Sequence, residues 1–129
     1  MKQNLIKEAR RYVDNAKKVL NENGKLDEKY SRYEDPKYVR AAGNYLWLGV
    51  LMALDAVFDV RTDRRTRVNI EAYKDAVRKR DHKLLGWVCD GYNVMHLSMT
   101  YDGVQSKPVC DDGFRLANEI INRCEVLVA

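Results

Sequence analysis

The segment Asp35–Val60, DPKYVRAAGNYLWLGVLMALDAVFDV, constrains this chain more than any other. From Tyr45 to Leu54 it carries no charge and no polar group beyond the Tyr45 hydroxyl. A helix on the rim of a helical protein shows an apolar stripe about 100° wide, whereas this one is apolar on every side. Asp35 is a good N-cap, and Pro36 suits the first helical position, where no amide donor is required. The apolar run from Tyr45 to Phe58 is broken by Asp55 and falls short of the roughly 18–20 residues that cross a bilayer. The segment therefore reads as a central helix covered by neighbours on most sides, with no membrane partner.

The rest of the chain supplies those neighbours. Leu5, Ile6, Ala9, Tyr12, Val13, Ala16, Val19 and Leu20 recur at three- and four-residue steps, which predicts an amphipathic helix from about Gln3 to Glu22, closed by Gly24. Lys25–Glu34 is polar but holds Tyr30 and Tyr33, and reads as an ordered connector lying on the helices. Asn69 is placed to cap a short helix over Ile70–Arg80, and Asp81 to start the next element at a break. Leu84, Val88, Tyr92, Met95 and Met99 give the stripe of that element, which Gly103 ends. Ser106–Asp112, with Pro108, reads as a loop before a last helix that starts at Gly113–Phe114 and carries Ala117, Ile120, Ile121 and Cys124. No stretch alternates in the manner of a strand. The expectation is an all-α fold, an up-and-down four-helix bundle with one short additional helix, in a single domain over residues 1–129.

Function classes narrow by chemistry. The net charge of +4 permits a polyanionic partner without demanding one. Cys89, Cys110 and Cys124 are odd in number and widely spaced, which fits reduced thiols in a cytoplasm better than disulfides or a zinc site. The start, MKQNLIKEARRY, has no apolar segment of signal-peptide type. His82 and His96 would stand about 21 Å apart on one helix, too far to share a metal, so neither metal nor cofactor is expected. Asp55 sits in ALDAVF, where a carboxylate must find partners. With Asp59, Asn44 and His96 it forms a candidate polar pocket; the plainer alternative is a carboxylate satisfied by an Arg or Tyr of another helix. Arg61, Arg64, Arg65 and Arg67 form a candidate anion site, although interspersed acids and the lack of an aromatic platform argue for a solvated end and weak or no nucleic-acid binding. No Gly-rich phosphate loop, nucleophile elbow or other catalytic spacing is present, so the chain does not read as an enzyme.

AAGNYLWLGVLMALDAVF (Ala41–Phe58) and KLLGWVCDGYNVMHLSMTYDG (Lys83–Gly103), followed by Gly113–Phe114, resemble a family of small bacterial all-helical proteins of unknown function. The pattern is also similar to the HEPN superfamily, which implies a four-helix, commonly dimeric protein that often works beside a nucleotidyltransferase. HEPN ribonucleases carry an Arg, four to six further residues and a His. Here only three residues separate Arg78 from His82, and no Arg lies at that distance before His96, so no catalytic residue is carried over. Two expectations result. The first is a non-enzymatic helical module acting through self-association, as a homodimer, or through a protein partner. The second is a HEPN-like nucleotide- or RNA-associated protein.

Overall fold

The computed structural model of the protein describes residues 2–58, 60 and 69–128, most of them helical. Helix α1, Lys2–Asn23, buries Ile6, Ala9, Val13, Ala16 and Leu20, the face that its three- and four-residue spacing predicts. The connector then forms a small antiparallel hairpin, β1 (Leu26–Asp27) with β2 (Arg32–Tyr33). The left-handed residue at the end of α1 is Lys25, with φ 55°, and not Gly24. Gly24 is required for space instead: a Cβ there would lie 2.6 Å from the Leu20 carbonyl oxygen and 2.9 Å from the Tyr33 ring.

Each of the next three helices starts where the sequence predicts a start, and each start carries a side-chain cap. Asp35 accepts from the Lys37 amide at 3.0 Å and opens α2, Pro36–Val57. Asn69 accepts from the Ala72 amide at 3.1 Å and opens α3, Ile70–Arg78. Asp81 accepts from the Leu84 amide at 3.0 Å and opens α4, His82–Gly91. These caps satisfy amides that have no partner inside the first turn.

Two elements differ from the sequence expectation. Helix α4 does not continue as an α-helix but runs directly into a π-helix, Tyr92–Tyr101. There the Asp102 amide bonds the Leu97 carbonyl five residues back at 2.9 Å, and the Thr100 side-chain hydroxyl donates to the Met95 carbonyl at 2.8 Å. Gly103, at φ 62°, ends it. The second difference is Ser106–Asp112, which is not a loop. Helix α5 spans Lys107–Val128, with Ser106 accepting from the Val109 amide at 3.4 Å. Pro108 fits because amides of the first turn lack intrahelical partners in any case. Gly113 consequently lies inside α5, where a Cβ would come 2.7 Å from the Met99 sulfur.

Side-chain pairs give the helix directions. Gly49 lies on Ala9 and Tyr45 on Tyr12, so α2 runs antiparallel to α1. Trp47 meets Tyr92 while Arg40 meets Tyr101 and Asp102, so the π-helix is antiparallel to α2. Asp81 meets Arg123 and Met99 meets Gly113, so α5 returns along α4 and the π-helix. Arg10 pairs with Glu125, which closes the circuit between α1 and α5. One buried apolar cluster runs through all of them, and α2 supplies Val39, Ala42, Leu46, Trp47, Val50, Ala53, Leu54 and Ala56 to it.

Candidate functional site

Helix α2 has neighbours on three sides: α1, α5 and the π-helix. At 3.6 residues per turn, Arg40, Asn44, Leu48, Leu51, Met52 and Asp55 fall on its fourth, outward side. Leu48 keeps 40% of its surface exposed, Asn44 is exposed, and Leu51 and Met52 are half-buried. Two aromatic groups flank this strip. On the α1 side, Tyr12 and Tyr45 stand 6.1 Å apart between ring centres. On the π-helix side, His96 lies between rings, 5.8 Å from Trp47, 5.2 Å from Tyr92 and 5.1 Å from Tyr101. Burial holds the His96 imidazole below the ordinary histidine range, which favours the neutral ring.

Both ends of the strip are pinned. At the N-terminal end the Arg40 guanidinium donates to the backbone carbonyls of Tyr101 and Asp102, which terminate the π-helix. At the other end the Tyr73 hydroxyl of α3 donates to Asp55 at 2.7 Å. Tyr73 is buried and Asp55 half-buried, so the bond crosses from α3 onto the end of α2. Asp55→Ala removes the acceptor and should cost about 1.5 kcal/mol, read from urea unfolding. A loss near zero with an unchanged denaturation slope would contradict this role.

The sequence-derived site residues separate accordingly. Among the described residues Asp55 contacts Tyr73, His96 contacts Trp47, Tyr92 and Tyr101, and Asn44 faces outward. No described contact joins Asp55 to His96. Asp59 and the arginines Arg61, Arg64, Arg65 and Arg67 lie outside the described residues. Tyr73 and Tyr101 carry no signal in the sequence, because contacts between distant segments leave none locally. No group of three His, Cys, Asp or Glu side chains able to hold a metal occurs among the described residues. The Cys110 and Cys124 thiols are each pushed up to about 12 by burial, which makes them poor nucleophiles.

Residues 4–126 match the family described as Domain of unknown function (DUF5618). The chain belongs to the DUF5618 family. Among solved structures, a protein of unknown function from Dyadobacter fermentans is similar to this DUF5618 chain at 35% sequence identity and a TM-score of 0.89, with 100% of this chain and 99% of that one covered. No curated protein matches it. No helix among the described residues of the DUF5618 chain is long and apolar enough to cross a membrane.

Proposed function

We propose that the chain is an up-and-down four-helix bundle with one short extra helix, and that it acts without catalysis by pairing with a second copy of itself through the outward side of α2. The observation that carries this reading is the exposed apolar centre of that side, Leu48 with Leu51 and Met52, on the most apolar helix of the chain. Removing such surface from water is favourable by about 25 cal/mol per Å².

The strip is also complementary to itself. Arg40 and Asp55 lie at nearly equal distances on either side of Leu48, about 12 and 11 Å along the axis at 1.5 Å per residue. In an antiparallel pairing about a two-fold axis at Leu48, Arg40 of each copy comes opposite Asp55 of the other. Such an isologous contact closes on itself and leaves no open edge.

The hairpin's contacts, Tyr33 against Gly24 and the Tyr33 amide on Gln105 at 2.8 Å, lie by the Arg40 end of the strip, which supports leaving Leu48, Leu51 and Met52 to a second copy. The HEPN-like reading, a nucleotide- or RNA-associated protein beside a nucleotidyltransferase, asks Asp55 and His96 to face one pocket. The bond of Asp55 to Tyr73 and the ring packing of His96 favour self-association instead.

The test is Leu48→Glu. Because Leu48 is a surface residue of one copy, the circular dichroism and melting of the variant should stay close to the parent. Its self-association, by light scattering across a concentration series, should weaken by roughly tenfold or more. An unweakened dimer would place the interface elsewhere.

A further inference from the structure

A cleft of about 540 Å³ opens between the C-terminal half of α1, the hairpin and the first turns of α5, away from the outward side of α2. Its volume falls in the range of small-molecule sites, roughly 300–1,000 Å³. Leu20 and the Tyr33 ring are buried there, while Leu26 and Phe114 present partly exposed apolar surface. Leu26 is one of the few large apolar side chains among the described residues with more than a third of its surface in water, at 38%.

Cations line the same opening. Lys107 pairs with Asp111 at 2.7 Å, and that bond raises the Lys107 pKa and keeps it charged. Lys17, on α1, has no ion-pair partner among the described residues. Two lysines against one carboxylate leave a net positive charge, and the carboxylate is already engaged. Burial, with the nearby Cys110 and Asp111, raises the Tyr33 pKa, so its hydroxyl remains protonated and able to donate.

We propose that this cleft binds a small amphipathic monoanion, a carboxylate on an apolar chain, with its head between Lys17 and Lys107 and its tail on Leu20, Leu26 and Phe114. A cation would be repelled by Lys17, which no ion pair among the described residues offsets, and a neutral amphiphile would forgo the contact with both lysines. A straight-chain fatty acid of medium length has the right chemistry: one charge, an apolar tail and no demand for further polar partners.

Octanoate, octan-1-ol and octylammonium share a tail and differ only in the head, so they separate charge recognition from greasy adhesion. In two-dimensional NMR titrations of the whole protein, octanoate should shift the signals of Leu26, Tyr33 and Phe114 with a dissociation constant on the order of 1 mM, as befits so small a ligand. Octylammonium should bind the same residues about tenfold more weakly or not at all. Lys17→Gln should weaken octanoate by about threefold and the double variant with Lys107→Gln by about tenfold, while octan-1-ol is unaffected. Both lysines lie on the surface, so the variants keep the fold, which the undisturbed remainder of the spectrum checks. Equal binding of octylammonium, indifference of octanoate to both lysines, shifts confined to Leu48, Leu51 and Met52, or no shifts at about 10 mM would each overturn the proposal.

Discussion

Gly43→Ala is expected to destabilise the protein by about 3 kcal/mol, the upper end of what overpacking costs in a tight core. A Cβ at this position would stand 2.6 Å from the Met99 Cβ, 2.8 Å from the Met95 carbonyl oxygen and 2.8 Å from the Thr100 hydroxyl. Two of these are backbone or near-backbone atoms, so no side-chain rotation relieves the clash. The third is the hydroxyl that satisfies Met95 inside the π-helix, and displacing it would loosen the wide turn itself. Urea unfolding of the variant should give a lower midpoint with a similar slope. A loss below about 1 kcal/mol would show that α2 and the π-helix are not held this closely.

The second large effect belongs to Asp81. This buried carboxylate caps α4 through the Leu84 amide and receives the Arg123 guanidinium at 2.6 Å, joining the start of α4 to α5. Asp81→Ala removes both bonds at once and should cost about 2–3 kcal/mol at pH 7, the sum of a cap and a charge-assisted hydrogen bond. Asp81→Asn keeps the cap and should cost about 1 kcal/mol less. The Leu84 amide, followed by Arg123, holds the Asp81 carboxyl below the usual carboxylate range. A depressed native pKa means that the contribution is complete above the unfolded value, about 3.9, and disappears as pH falls through the lower native value. The stability gap between parent and Asp81→Ala should therefore narrow as the pH drops below about 4. A gap independent of pH would assign the effect to packing alone.

How much of this was legible depended on how local each signal is. Asp35, Asn69 and Asp81 announced three helix starts because a cap acts on an amide two or three residues away. The α1 stripe was legible because a regular helix repeats its buried face. The π-helix was not. Its buried positions Met95 and Met99, with Gly91 just before it and Gly103 just after, keep a constant step of four, which in an α-helix would drift by about 40° each time. Read against Leu84 and Val88, that spacing passes for an ordinary α stripe. Pro108 misled in the other direction, since a proline marks a loop or a helix start equally well, and Ser106 decides between them only through the bond it makes. In the candidate site, Asp55 was recognisable as a carboxylate needing a partner, but Tyr73 as that partner came from the fold. The rings around His96 come from two separate segments, and only their packing brings Trp47 into contact.

The central claim is that the outward side of α2 is covered by a second copy, and sedimentation equilibrium of the parent chain across micromolar concentrations tests it directly. The expected result is a species of twice the 15.0 kDa chain mass that gives way to the single-chain mass on dilution. A species at 15.0 kDa throughout, unchanged as the concentration is raised, would contradict it.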